Sequence, residues 1–283
     1  MECLYPVRYL DKTEGCYKYH RCGYCLTCRK RRSLQFALRA SHEGKFWDKK
    51  VMLNLSYDDE HIHPSHVYPF TGNLCYDDVC KFWKSLRSSG RNIKYLVAGE
   101  YGGQTFRPHY HALVFGISVD DDIFYQKTYN RKKKAYICKC KFWPYGDVVV
   151  GNVREGGSFY VTKYSTKDDI SSQLYREMKK KGQIKPFLRL SQGLGLRYFL
   201  ERPHYFMKCG YMLYKGIKVP IPDYYVAKYQ EKYLLPDEYE YNKSISQFEK
   251  QAKIMKSVPV GYTPWDWNKE RLKQIEINLM RKK

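Results

Sequence analysis

Two neighbouring apolar segments joined by a short polar loop constrain the fold of this chain most strongly. The segments are residues 93–100, IKYLVAGE, and residues 109–116, HYHALVFG. Each has the length and the β-branched and aromatic content of a strand. The loop between them runs from Tyr101-Gly102-Gly103 to Arg107-Pro108, and such glycine and proline residues are typical of turns. The pattern predicts an antiparallel hairpin.

Further elements surround this hairpin in a regular order. Residues 51–57, VMLNLSY, alternate as a strand does, and residues 75–88 carry apolar side chains at helical spacing. A strand over 147–153 and a helix over 158–168 follow, after an insertion at about 117–146. The order β-α-β-β-insertion-β-α predicts an α+β domain with an antiparallel sheet and helices on one face.

The charge and the composition divide the chain and limit its partners. Lys and Arg number 51 against 29 acidic residues, a net charge of +22, and aromatic residues make up 17%. Such a field attracts polyanions, and exposed aromatic rings stack on single-stranded bases, so we expect a nucleic-acid partner rather than a small substrate. We expect a Cys-rich basic extension over 1–50, a core over 51–170, and a mainly helical basic region over 171–283. The N-terminus lacks a signal-peptide pattern and no apolar run is long enough for a membrane span, which predicts a reducing cytoplasm and no membrane partner.

A His-x-His pair is the central chemical feature. Side chains alternate faces along a strand, so His109 and His111 point the same way and can chelate one divalent cation. Glu100 ends the preceding strand, where a hairpin brings it beside the histidines as the third ligand. Gln104 is a weaker alternative. Such a ligand set also suits a non-haem iron oxygenase, but the charge of +22 argues against a small-molecule enzyme.

A tyrosine- and lysine-rich segment follows the fourth predicted strand. It places four side chains on one helix face, at positions i, i+3, i+4 and i+7: Tyr160, Lys163, Tyr164 and Lys167. Lysine ammonium groups and a metal-bound phosphate would activate a tyrosine hydroxyl as a nucleophile. The segment 225–232 has the same pattern, and periodicity alone does not separate the two copies. Position favours the first, because that helix would pack on the sheet that bears the histidines.

A cysteine cluster lies in the N-terminal extension. Cys22, Cys25 and Cys28 have the spacing C-x₂-C-x₂-C, with Cys16 and His20 just upstream. Tetrahedral zinc takes four nitrogen or sulfur ligands, so the sequence predicts structural Zn²⁺ held by Cys16, Cys22, Cys25 and Cys28. The alternatives are ligands from the distant Cys138 and Cys140, or reduced cysteines with no metal.

At this point five segments resemble the HUH endonuclease superfamily and, within it, the replication initiators of microvirus phages of the gokushovirus type. They are CGYCLTCRKRR at 22–32, LNLSYDDEH at 53–61, GEYGGQTFRPHYHALVFG at 99–116, FWPYGDVVVGNV at 142–153 and FYVTKYSTK at 159–167. The resemblance implies a ferredoxin-like sheet, Mg²⁺ or Mn²⁺ on His109 and His111, and a nucleophile among Tyr160 and Tyr164. Lys163 and Lys167 occupy the lysine positions of the motif. Asn54 departs from the pattern, which usually has an apolar residue or Thr there.

The resemblance also implies an activity. Such initiators nick single-stranded origin DNA, leave a 5′-phosphotyrosine and a free 3′-hydroxyl, and later rejoin the displaced circle, in the cytoplasm of a bacterial host. The sequence has no phosphate-loop motif, so we expect a host helicase and polymerase as partners. The alternatives are a relaxase or transposase with the same chemistry, or a non-enzymatic basic DNA-binding protein. The basic residues expected to contact DNA are Arg29, Lys30, Arg31, Arg32 and Arg107.

Overall fold

The computed structural model describes residues 3–11, 15–23, 25–153, 156–163 and 177–233, and isolated positions between 266 and 278. The chain forms two units. One contains residues 1–32, 207–212 and 219–283, and the other contains residues 33–206 and 213–218. The candidate metal and tyrosine residues of the sheet belong to the second, larger unit.

Eleven strands and six α-helices can be assigned within the described residues. In chain order they are β1 (Val7–Asp11), β2 (Cys16–His20), α1 (Leu26–Glu43), β3 (Lys50–Ser56), α2 (Tyr76–Ser88), β4 (Lys94–Tyr101), β5 (Pro108–Phe115), β6 (Phe124–Asn130), β7 (Ala135–Cys140), β8 (Trp143–Asn152), α3 (Gly157–Lys163), β9 (Phe187–Leu190), α4 (Leu196–Leu200), α5 (Pro203–Cys209), β10 (Tyr211–Tyr214), β11 (Ile217–Pro220) and α6 (Asp223–Tyr233).

A seven-stranded sheet with the order β6-β7-β8-β3-β5-β4-β9 is the centre of the larger unit. Every neighbouring pair in it is antiparallel. The predicted α+β class with an antiparallel sheet is therefore confirmed. Strands β1 and β2 form a separate hairpin, and β10 and β11 form another two-stranded sheet.

Both faces of the large sheet are covered by helices. On one face, Phe82 and Trp83 of α2 pack in the main core with residues such as Leu53. On the other face, Ala40 of α1 and Val161 of α3 belong to a second buried cluster. The sequence analysis expected helices on one face only. The second layer arises because successive residues of β5 are apolar: Ala112 and Val114 lie in the first core, and Leu113 and Phe115 in the second.

The segment expected as an insertion extends the same sheet. Strands β6 and β7 pair in register from Phe124↔Cys140 to Asn130↔Ala135, and β7 then pairs with β8. The rings of Tyr129 and Tyr136 lie 5.1 Å apart across this hairpin. Cross-strand aromatic pairs of this kind stabilise an edge hairpin, so the insertion adds two strands to the core rather than an irregular loop.

The predicted β4–β5 hairpin is present and sets the geometry of the candidate site. Its register pairs Glu100 with His109 and Ala98 with His111. The connecting loop closes through a hydrogen bond of 2.9 Å from the Gly102 backbone N–H to the Arg107 carbonyl. Among the described residues, no helix is both long enough and apolar enough to cross a membrane.

Candidate functional site

Three side chains converge on one point of the large sheet. The Oε1 atom of Glu100 lies 2.9 Å from Nε2 of His109 and 3.2 Å from Nε2 of His111, and the two Nε2 atoms are 3.1 Å apart. Ligands at about 2.1 Å from an octahedral cation are about 3.0 Å from one another when adjacent. The three atoms thus match one triangular face of an octahedral metal site, which leaves the opposite face open.

The strand register explains this convergence. Glu100 is the direct antiparallel partner of His109, and His111 lies two residues further along the same face of β5. Glu100 and His111 are buried, with 7% and 8% of their surface exposed, whereas His109 is half-buried. The site is therefore held rigidly on the sheet and opens on the side of His109.

A second hydrogen bond orients the His109 ring. Its Nδ1 lies 3.1 Å from the carbonyl oxygen of Arg107, so an N–H at Nδ1 can donate to that oxygen. The tautomer with a proton on Nδ1 leaves the lone pair of Nε2 directed at the point shared with Glu100 and His111. This is the usual outer hydrogen bond of a metal-binding histidine.

The carboxyl group of Glu100 is ionised at neutral pH. Burial by itself raises its pKa, but hydrogen bonds and charge from His109 and His111 outweigh burial and bring the pKa down to about 2. A buried carboxylate beside two imidazoles is a ligand set for a divalent cation. Gln104, the weaker alternative as third ligand, is exposed in the loop and lies outside the Glu100, His109 and His111 group.

Asn54 is a residue of this site that sequence reasoning did not assign to it. It lies on β3 as the direct antiparallel partner of His111. Cross-strand partners share a face of the sheet, so its side chain is on the side of the histidines. Its Oδ1 atom is buried and has no hydrogen-bond partner. The signal in the sequence was an amide within an otherwise apolar strand.

Tyr160 lies next to this group. It is on α3, its ring centre is 6.1 Å from that of His111 at an interplanar angle of 85°, and 53% of its surface is exposed. Val161 and Thr162 of the same helix are fully buried, so α3 is anchored on the sheet while Tyr160 faces solvent. Tyr164 and Lys167, and the side chain of Lys163, lie outside the described residues.

The second copy of the tyrosine pattern has a different environment. Tyr225 on α6 is fully buried. Its neighbour Tyr229 is half-buried, and Lys228 of the same helix forms an ion pair of 2.5 Å with Glu231. A fully buried hydroxyl is inaccessible to a DNA strand, and this difference favours α3 over α6.

Comparison with known proteins agrees with this geometry. A family model described as replication-associated protein of the ORF2 type matches residues 50–169. The replication-associated protein ORF2 of Spiroplasma virus 4 is 32% identical over 228 residues, which cover 75% of this chain and 68% of that protein. The chain belongs to this family of phage replication-associated proteins.

Two further members of the family are similar over much of the chain. The replication-associated protein VP4 of Bdellovibrio phage phiMH2K is 28% identical over 253 residues, 83% of this chain and 75% of that protein. The replication-associated protein ORF4 of Chlamydia phage 1 is 29% identical over 222 residues, 72% of this chain and 52% of that protein. The resemblance to microvirus replication initiators is thus confirmed. No solved structure matches the chain.

The basic residues expected to contact DNA already have partners within this phage replication-associated protein. Arg107 forms an ion pair of 2.7 Å with the exposed Asp59 and donates to the Tyr57 carbonyl at 3.0 Å. Arg31 pairs with Asp223, and Arg32 donates to the carbonyl of Gly23 at 3.0 Å. Arg29 and Lys30 are half-buried on α1. Their role in DNA binding remains a prediction.

The four cysteines that meet in the smaller unit differ by one from those expected. The structure brings together Cys3, Cys22, Cys25 and Cys28, whose sulfur atoms all lie within 4.8 Å of one another. Cys16 is exposed on β2 and lies outside this group. Burial raises the pKa of the Cys25 thiol, but hydrogen bonds from Thr27 and from the backbone outweigh burial and lower the pKa to about 6.

A third group of metal-ligand type in the described residues has a structural explanation. It consists of His63, Cys75 and Asp78. The Oδ2 atom of Asp78 accepts a hydrogen bond of 2.9 Å from the Tyr57 hydroxyl and lies 2.7 Å from His63 Nε2. Its acceptor capacity is used within the protein, so this group holds α2 to the sheet without a cation.

Proposed function

We propose that this chain starts rolling-circle replication of a phage genome by nicking single-stranded origin DNA with a tyrosine beside a divalent metal ion. The observation that carries the proposal is the triangle of Glu100, His109 and His111 with the exposed Tyr160 next to it. Family membership supports a role in phage replication.

The donor set fits Mg²⁺ or Mn²⁺. Two imidazoles and one carboxylate supply three ligands on one face, and the other coordination positions stay open for water and for a phosphate oxygen. A bound cation would supply Lewis acidity at the scissile phosphate and stabilise the charge of the transition state. The Arg107 carbonyl keeps the His109 ring in the orientation that binding requires.

The tyrosine reaction is a transesterification. The Tyr160 oxygen attacks the phosphorus, a new phosphorus–oxygen bond forms to tyrosine, and the bond to the 3′ oxygen breaks. The 3′ oxygen takes up a proton as a free hydroxyl, and the 5′ phosphate stays on the protein. A free tyrosine hydroxyl, with a pKa near ~10, is a weak nucleophile at neutral pH, so we assign Lys163 and Lys167 to stabilising the attacking oxygen.

Two tyrosines four residues apart fit the replication cycle. Tyr160 and Tyr164 occupy positions i and i+4, which share a helix face. One hydroxyl would open the origin, and the other would cut the regenerated origin while the first still carries the old 5′ end. The 3′ hydroxyl then attacks the first phosphotyrosine and closes the displaced circle. Host helicase and polymerase would complete the cycle in the bacterial cytoplasm.

The remaining alternatives differ in their DNA target or in chemistry. A relaxase or transposase would use the same residues on plasmid or element DNA, and the phage relatives favour a phage origin. A non-enzymatic basic DNA-binding protein would need the net charge of +22 but not three converging metal ligands.

The deciding experiment traps the covalent intermediate. The full chain is incubated with labelled single-stranded oligonucleotides that tile the phage genome, with Mn²⁺, and the products are separated under denaturing conditions. We expect one oligonucleotide to become attached to the protein and its 3′-hydroxyl fragment to be released. Mass spectrometry should place the adduct on Tyr160 or Tyr164. A Tyr229→Phe variant is the matched control and should react like the wild type.

Two results contradict the proposal. The first is the absence of any adduct across the whole genome with Mn²⁺ or Mg²⁺, which favours the non-enzymatic alternative. The second is an adduct on Tyr225 or Tyr229, which assigns the chemistry to the wrong helix.

A further inference from the structure

The four buried cysteines of the smaller unit have the spacing of ligands around a single ion. Their sulfur atoms all lie within 4.8 Å of one another, and the sulfur atoms of Cys3 and Cys25 are 4.0 Å apart. Tetrahedral zinc with Zn–S bonds of about 2.3 Å separates its sulfur ligands by about 3.8 Å. A disulfide needs about 2.05 Å, so Cys3 and Cys25 are not bonded to each other. An iron–sulfur cluster places several atoms between its thiolates and holds them farther apart.

The sulfur atoms receive hydrogen bonds from their surroundings. The Cys22 backbone N–H donates to Cys3 Sγ at 3.2 Å, and the Cys25 backbone N–H donates to Cys22 Sγ at 3.3 Å. The Thr27 hydroxyl lies 3.2 Å from Cys25 Sγ. Outer hydrogen bonds of this kind orient metal-binding thiolates and spread their negative charge.

The start of α1 favours negative charge at the same place. Cys25 immediately precedes the helix, which begins at Leu26, and Cys28 lies in its first turn. The free backbone N–H groups and the positive end of the helix dipole stabilise thiolates there. The basic residues 29–32 follow directly and offset the net negative charge of four thiolates around one Zn²⁺.

The N-terminal segment has almost no apolar core of its own. The buried cluster there consists of Leu4 and of the cysteines themselves. The β1–β2 hairpin exposes its large side chains, each by 40% or more: Val7, Tyr9, Leu10, Tyr17 and Tyr19. A segment that buries so little needs a disulfide or a metal to hold it in place.

We propose that Cys3, Cys22, Cys25 and Cys28 bind one structural Zn²⁺. The ion ties residue 3 to the first turn of α1 and fixes the start of the helix that carries the basic run at 29–32. Cys3, which is 19 residues from Cys22, is the fourth ligand, and Cys16 is not a ligand. The site is independent of the proposed nicking chemistry.

The test compares matched cysteine variants of the full chain, purified without chelators. Elemental analysis should find about one zinc per wild-type chain, and X-ray absorption should show four sulfur ligands at about 2.3 Å. Cys3→Ser and the double variant Cys25→Ser/Cys28→Ser should lose zinc. Cys16→Ser, an exposed cysteine of the same segment, should retain it.

Three outcomes would overturn the proposal. They are wild-type protein without bound metal, iron in place of zinc, and a Cys16→Ser variant that loses zinc while Cys3→Ser keeps it. If Cys3→Ser does not fold, cobalt substitution of the wild type decides, because four thiolates around Co²⁺ give intense charge-transfer and tetrahedral ligand-field bands. A spectrum without those bands contradicts the tetrathiolate site.

Discussion

Asn54 and His111 are direct partners across the β3–β5 ladder, and the Oδ1 atom of Asn54 is buried without a hydrogen-bond partner. An acceptor left unsatisfied in this way costs about 1–3 kcal/mol of stability. Beside a metal ion, the same atom can accept a hydrogen bond from a coordinated water. The residue therefore fits a role in function better than a role in stability.

The first prediction is that Asn54→Val separates these two effects. The metal-free variant should unfold at a temperature equal to or higher than the wild type, and its Mn²⁺ affinity should fall by about 10-fold, as is typical when an outer partner of a metal site is lost. Thermal unfolding and Mn²⁺ electron paramagnetic resonance measure the two quantities. Ser56→Ala is the control, because the Ser56 hydroxyl already donates to the Asp147 carbonyl. Unchanged Mn²⁺ affinity in Asn54→Val would contradict the assignment.

The second prediction concerns the carboxylate ligand. Glu100→Gln keeps the size of the side chain and its contact with His109 but removes the negative charge, so Mn²⁺ affinity and nicking should fall by more than about 10-fold. DNA affinity should stay within about 2-fold, because the residue binds metal rather than phosphate, and the same separation is expected for His109→Ala and His111→Ala. Isothermal titration and oligonucleotide binding measure both. Gln104→Ala should resemble the wild type, and a loss of metal in that variant would transfer the third ligand to Gln104.

The third prediction concerns the two tyrosines. Tyr160→Phe and Tyr164→Phe should each retain some oligonucleotide cleavage but fail to release closed circles, because a full cycle needs two transesterifications. The double variant should form no covalent adduct. Circle release on a phage-origin template and adduct formation on oligonucleotides are the two readouts. A double variant that still forms an adduct would exclude both residues as nucleophiles.

The fourth prediction is an acid destabilisation that depends on Asp78. Burial raises the pKa of this carboxyl, but hydrogen bonds from His63 and Tyr57 outweigh burial and lower it. Because the pKa in the folded protein is below that in the unfolded chain, the stabilisation is present above the ordinary Asp value and is lost as the pH falls through and below it. Asp78→Asn should lose about 2 kcal/mol at pH 7, typical of hydrogen bonds to a charged group, and should lose less on acidification than the wild type does.

Urea unfolding at a series of pH values between neutral and about 3 measures this difference. Asp77→Asn is the matched control, since Asp77 is the exposed neighbour in the same helix turn. Identical pH profiles for Asp78→Asn and the wild type would contradict the assigned role of this carboxylate.

The fifth prediction follows from the net charge of +22. Binding of a single strand should weaken steeply with salt, by about 100-fold or more between 50 and 200 mM, because lysine and arginine side chains displace condensed counterions. Fluorescence anisotropy of a labelled oligonucleotide measures the slope of log affinity against log salt. A flat plot would show that this charge does not serve DNA binding.

The sequence by itself determined the hairpin and its metal ligands. Strand alternation has a period of two residues, so His109 and His111 had to share a face. A short loop between consecutive strands had to bring Glu100 beside them, as the register Glu100↔His109 now shows. These inferences were correct because each depends on residues close together in the chain.

The tertiary structure decided what depends on distant residues. Cys3 replaces Cys16 in the cysteine group because the fold of the N-terminal segment brings residue 3 to the start of α1. Helices cover both faces of the sheet because β5 is apolar at successive positions. Tyr160 and Tyr225 belong to the same sequence pattern, yet one is exposed and the other fully buried. Burial is set by packing against elements far away in the chain, and local periodicity carries no information about it.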